Sequence, residues 1–187
     1  MIIVITQPYF FQGEAERIVQ LLSSGAADIV HIRKPLDRPD NLARLEQLVK
    51  LQRLIQALPP EFYPRLVLHD CFKLAVKFNL RGIHLNSRNT QPPVGFKGAV
   101  SISCHSLDEL ALCRRKPYAY MSLSPIFDSI SKPDYLSAFT AEQIAEARQQ
   151  GLIDERVMAL GGVTFDKIND VLEMGFGGGM ILGDAWK

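Results

Sequence analysis

Eight short apolar segments recur along this chain, and each ends in side chains able to do chemistry. They cover residues 2–6, 29–33, 66–70, 82–84, 100–103, 119–123, 157–160 and 176–182. They lack the strict alternation of a half-exposed strand and read as strands buried on both faces, as in parallel sheets. Polar groups follow them in turn: Arg33 and Lys34, His69 and Asp70, His84, Ser103 and His105, then Ser129, Ser131 and Lys132, Gly161 and Gly162, and Gly183. In a parallel barrel all strands point one way, so these ends gather on one rim, where such folds place their active sites.

Amphipathic stretches fill the gaps. Ile18, Val19, Leu21 and Leu22 make one apolar face, and Leu42, Leu45, Leu48, Val49, Leu51, Leu54, Ile55 and Leu58 make a longer one that Pro59 and Pro60 stop. Leu74, Ala75 and Phe78 mark a short third helix. Ser106 with Glu109 reads as a capping box, and Thr140 and Thr164 are further expected caps. Gln91, Pro92 and Pro93 stand where a helix would follow the fourth strand. This alternation predicts an α/β fold, a TIM (β/α)8 barrel formed by residues 1–187 as a single domain. An open dinucleotide-binding sheet would carry a Gly-x-Gly-x-x-Gly turn after the first strand, whereas this chain reads Thr6-Gln7-Pro8-Tyr9. Only Asp184 to Lys187 follow the last strand, so the eighth helix is missing. Truncation is the expected reason. The other is a partner subunit, in a homo-oligomer, covering the gap between the first and seventh helices.

The net charge of +1 in 187 residues, with both signs mixed, gives no reason to expect nucleic acid or a membrane surface. No apolar run approaches the roughly 20 residues of a membrane span. Nothing at the start resembles a signal peptide. Cys71, Cys104 and Cys113 show neither a pairing pattern nor Cys-x-x-Cys spacing, so the expected compartment is the cytoplasm.

Two clusters carry the candidate chemistry. Ser129, Ser131 and Lys132 offer hydroxyls and a cation, while Gly161, Gly162, Gly183 and the run Gly177-Gly178-Gly179 let backbone approach an anion. Barrel enzymes often hold phosphate on the last two loops. The plainer alternative is that these glycines only make turns. Arg33 and Lys34 supply positive charge beside Asp70, which suits a Mg²⁺ bridging a diphosphate. Asp70 read alone would cap a helix. His31, His69, His84 and His105 all fall on or just after strands two to five, but without His-x-His spacing. They are expected to hydrogen-bond neighbours or substrate rather than to form a dedicated zinc site. Cys71 at a helix start would favour a thiolate, although a packed thiol is the expected role.

The ordered segments Val30-His31-Ile32-Arg33-Lys34, Leu68-His69-Asp70, Gly82-Ile83-His84-Leu85, Val100-Ser101-Ile102-Ser103-Cys104-His105, Ser124-Pro125-Ile126-Phe127-Asp128-Ser129-Ile130-Ser131-Lys132 and Ala159-Leu160-Gly161-Gly162-Val163 resemble the thiamine phosphate synthase family and its sister group, the TenI-like thiazole tautomerases. The resemblance implies a transferase of thiamine biosynthesis. It would join hydroxymethylpyrimidine diphosphate to thiazole phosphate and release pyrophosphate. It implies Arg33 and Lys132 on the diphosphate, Ser103 at the pyrimidine, and Mg²⁺ on Asp70. His31, His69 and His84 would contact substrate, and Ser129, Ser131, Gly161, Gly162 and Gly183 would cradle the thiazole phosphate.

Departures from the family pattern narrow this. The synthases read Gln-x-Arg-x-Lys on strand two, where this chain has His31-Ile32-Arg33-Lys34-Pro35. Their Asn-Asp pair is His69-Asp70, and their second Mg²⁺ carboxylate falls at Asn89. The metal side is therefore expected to be weakened. Two alternatives follow: a tautomerase, whose sixth-loop histidine is Pro125 here, and a non-catalytic regulator that binds thiazole phosphate.

Overall fold

A computed structural model describes residues 1–35, 40–128 and 137–187. Among these, strands and helices alternate: β1 (Ile2–Ile5), α1 (Glu14–Ser23), β2 (Ile29–Ile32), α2 (Asn41–Ala57), β3 (Leu66–Leu68), α3 (Phe72–Lys77), β4 (Gly82–Leu85), β5 (Ala99–Cys104), α4 (Leu107–Cys113), β6 (Tyr120–Leu123), α5 (Ala141–Gln149), β7 (Val157–Leu160), α6 (Ile168–Glu173) and β8 (Gly178–Ile181). The strand order is β1 to β8 in sequence, closed into a barrel, as the segment pattern predicted. A 3₁₀ turn, Gly183–Trp186, follows β8. No helix among the described residues is long and apolar enough to cross a membrane. The chain packs as two compact units, Ile5–Gly98 and Met1–Val4 with Ala99–Lys187.

In the Ile5–Gly98 unit, β2 pairs with β3 and β3 with β4, all parallel. Their apolar side chains are fully buried, with Ile18, Leu21 and Leu22 of α1 and Leu51 and Ile55 of α2 buried alongside. Each such side chain contributes about 1.5–3 kcal/mol. The first half of α2 behaves otherwise. Leu42, Leu45 and Val49 are 68%, 56% and 41% exposed, against the expectation that they belong to the buried face. Asp40 caps this helix, its carboxylate accepting the Ala43 N–H at 2.7 Å.

In the other unit, β5 to β8 pair in order and β8 continues to β1. Ser106 accepts the Glu109 N–H at 3.1 Å, and Thr140 forms a full capping box with Gln143. Thr164 does not cap. Its hydroxyl meets no partner among the described residues. The adjoining Phe165 N–H donates instead to Asp184 Oδ2 at 3.1 Å.

The glycine run entering β8 serves packing. A Cβ on Gly177 would lie 1.9 Å from the Glu155 carbonyl oxygen, and one on Gly178 would lie 1.8 Å from that of Met1. Gly177→Ala should therefore destabilise the fold by about 2 kcal/mol. A urea midpoint unchanged from wild type would show that this backbone contact can relax.

Candidate functional site

Just past β2, continuing the two-residue period of a strand would send Arg33 the way of His31 and Lys34 the way of Ile32. Lys34 was expected to stand beside Arg33 as a second rim cation, and the structure corrects this. Its Nζ is buried and donates to the carbonyls of Gln7 at 2.8 Å and Tyr9 at 2.6 Å, and to Glu14 Oε1 at 2.5 Å. The Phe10 ring lies 4.8 Å from it. Lys34 thus fixes the β1–α1 loop. Arg33 is partly exposed, its N–H held by Thr6 Oγ1 at 2.9 Å.

Past β3 lies the candidate metal group. Asp70 is 5% exposed. Its Oδ1 accepts the Asn89 amide at 2.9 Å, and Arg88 Nη2 stands 3.6 Å from Oδ2. Asn89 also donates to the His69 carbonyl at 3.1 Å, as Asn86 does at 3.3 Å. The residue at the second-carboxylate position of the resemblance therefore touches the first carboxylate, but as a neutral amide. Asp70 does not cap α3. The N-cap is Cys71, at φ 54°. Burial, with the Asp70 charge beside it, pushes the Cys71 thiol up to about 11, so no thiolate is favoured there.

His31, His69 and His84 come together. Their rings are almost fully buried, and His31 Nδ1 and His69 Nε2 share a hydrogen bond at 2.8 Å. The His69 and His84 rings stack with centroids 4.4 Å apart. Burial is the main reason all three stay uncharged. It holds His84 down at about 3 and His31 and His69 well below the ordinary range. The His84 ring adds to both of the latter shifts, and the Arg33 and Arg88 charges add to that of His69.

In the other unit, Ser103 on β5 stands in register with Ser122 on β6. His105 Nδ1 and Ser124 Oγ lie 3.2 Å apart, and the His105 N–H donates to Glu109 Oε2 at 2.6 Å. Ser124-Pro125 is a cis peptide. Gly161 and Gly162 have φ 93° and 64°, and a Cβ on Gly162 would lie 2.3 Å from the Asp128 carbonyl oxygen. These glycines bring the β7 loop directly against residues 125–128. Lys167 Nζ donates to the Gly162 carbonyl at 3.2 Å and lies 4.7 Å from the Phe127 ring centre. Gly183 is exposed at the start of its 3₁₀ turn. Ser129, Ser131 and Lys132 lie outside the described residues.

Arg88, Lys167 and the His105–Ser124 pair were not anticipated. No local motif marks Arg88 or Lys167.

Residues 2–182 match the family model described as thiamine monophosphate synthase. The thiamine-phosphate synthase of Halalkalibacterium halodurans is 24% identical over 156 residues, 81% of this chain and 70% of that protein. That of Bacillus mycoides is 22% identical, over 91% of this chain and 80% of the relative. Among solved structures, a thiamine phosphate pyrophosphorylase from Bacteroides thetaiotaomicron superposes with a TM-score of 0.83 at 39% identity, covering 99% of this chain and 84% of that one. The Pyrococcus furiosus pyrophosphorylase, at 18% identity and TM-score 0.70 over 98% of this chain and 89% of that one, shares the fold.

Proposed function

The chain belongs to the thiamine monophosphate synthase family, and from that premise we propose that it joins hydroxymethylpyrimidine diphosphate to thiazole phosphate, releasing pyrophosphate, with residues 1–187 acting as one domain. The observation that carries this reading is the group at the end of β3: a buried carboxylate, Asp70, with the Asn89 amide on one oxygen and the Arg88 guanidinium 3.6 Å from the other.

The donor set fits Mg²⁺, which is satisfied by one or two carboxylates together with phosphate oxygens and water. Asp70 would hold it, and when bound it supplies charge neutralisation to the leaving diphosphate. With Asn89 in place of a carboxylate, a bound Mg²⁺ would depend more on the substrate's own oxygens. As the resemblance implies, Arg33 and Lys132 would supply fixed positive charge to a diphosphate. The C–O bond to the diphosphate breaks and leaves a pyrimidine-stabilised cation, and the thiazole nitrogen then donates its electron pair to form the new C–N bond. Ser103 would orient the pyrimidine. His31, His69 and His84 would contact the substrate from β2, the end of β3 and β4. Ser129, Ser131, Gly161, Gly162 and Gly183 would hold the thiazole phosphate, which makes the attack effectively intramolecular.

Asp70→Ala should lower thiamine phosphate formation about a hundredfold with the fold intact. An unchanged rate would remove the carboxylate from metal binding. The tautomerase reading requires turnover of a thiazole carboxylate phosphate that survives chelation. The regulator reading requires calorimetric binding of thiazole phosphate with no turnover of either kind.

A further inference from the structure

The mutual contact of His31, His69 and His84 goes beyond any role the transferase reading gives them. They come from three successive parallel strands of one unit, on β2, just past β3 and on β4. They are 0%, 5% and 1% exposed. One ring nitrogen from each lies within 4.8 Å of the other two. The ring centroids are 5.0 Å apart for His31 and His69, 5.1 Å for His31 and His84, and 4.4 Å for His69 and His84.

These separations are those of imidazoles around one ion. A zinc–nitrogen bond of about 2.0–2.1 Å puts the ring centre about 3.2 Å from the metal, so rings subtending about 90–110° have centres about 4.5–5.2 Å apart. Two nitrogens on one such ion are about 2.9–3.4 Å apart, against 2.8 Å for His31 Nδ1 and His69 Nε2. His84 must bring its nitrogen closer, since the three nitrogens now lie within 4.8 Å of one another. The His69 and His84 planes, now inclined at 29°, turn about χ2, a soft torsion for histidine. The proton shared by His31 and His69 moves to the other nitrogen of the ring that carries it. Each ring stays neutral and no proton leaves.

We propose that His31, His69 and His84 form a three-nitrogen site for one divalent transition-metal ion of the zinc and cobalt class, leaving a fourth position open to water or to a ligand's donor atom. Such ions prefer imidazole, whereas Mg²⁺ prefers oxygen, so this site is chemically distinct from Asp70. The proposal does not rest on the assignment of the transferase reaction.

Titration of metal-depleted full-length protein with CoCl₂ tests it. One Co²⁺ per chain should bind, with ligand-field absorption and three paramagnetically shifted imidazole resonances. His31→Gln and His84→Gln should each weaken binding by at least about tenfold, with melting transitions showing that they fold. Asp70→Asn should weaken Co²⁺ binding less than either histidine change, because its carboxylate acts on this site only through its charge and is no ligand. Absence of stoichiometric binding would overturn the proposal, as would equal binding in both histidine variants or loss of binding in Asp70→Asn. If neither histidine variant folds, the wild-type spectrum decides: shifted imidazole resonances support the site and their absence refutes it.

Discussion

In EDTA, the protein at pH 5 should be less stable than at pH 8 by about 2 kcal/mol or more. The cause is the buried imidazole trio. Each ring titrates near 6.5 once the chain unfolds. In the folded protein, burial holds His84 down at about 3 and His31 and His69 well below 6.5. A group whose folded pKa is depressed takes up its proton only on unfolding. Unfolding therefore becomes easier as the pH falls through 6.5, and increasingly so down to the folded value. His84, neutral at pH 5, forfeits about 2 kcal/mol there, and His31 and His69 add to the loss in the same direction. Glu14 works the other way. Burial raises its carboxyl, so it regains part of the loss as the pH falls. The remainder is a large share of the roughly 5–15 kcal/mol that holds a domain folded. Urea titrations at pH 8, 7, 6 and 5 read the effect directly. A flat profile would show that the rings protonate without unfolding, and hence that they are not buried together.

Lys34→Met should destabilise the protein by about 3–5 kcal/mol. Met fills much the same space but leaves the Glu14 carboxylate, 2% exposed, without its cation. It also strips a donor from the Gln7 and Tyr9 carbonyls. Burial already drives both members of the pair toward neutrality, lowering the Lys34 ammonium and raising the Glu14 carboxyl. The pair is therefore no large net source of stability, while breaking it is expensive. The double change Lys34→Met with Glu14→Leu should recover most of the loss, because apolar pairs of similar volume often replace buried ion pairs without penalty. Denaturation of the two variants checks this. A single variant within about 1 kcal/mol of wild type would mean that Glu14 finds water or another partner.

The strand ends were legible because each apolar segment stops at a polar residue, and β1 to β8 lie where those segments predicted. The sidedness of α2 was not. Eight apolar residues recur at helical spacing, yet they spread around the helix, so spacing alone does not say that Leu51 and Ile55 face inward while Leu42 and Leu45 face out. Lys34 was readable and was misread. Strand alternation forbids Arg33 and Lys34 from sharing a face, and the identity of its anchor, Glu14, lies twenty residues away with no motif joining them. The histidine trio is invisible locally for the same reason. His31, His69 and His84 are separated by 38 and 15 residues, and only three adjacent parallel strands bring them together. Asn89, expected where the family pattern carries a carboxylate, reaches Asp70 with its amide. Its bond to Asp70 follows from the turn that Asn86 and Asn89 form through their paired backbones.

The transferase assignment is tested most directly by supplying the purified protein with Mg²⁺, hydroxymethylpyrimidine diphosphate and thiazole phosphate and quantifying both products. Thiamine phosphate and pyrophosphate should appear in equal amounts, only when both substrates are present, and EDTA should stop them. No thiamine phosphate at enzyme concentrations matching the substrates, or thiazole turnover that continues in EDTA, would contradict it.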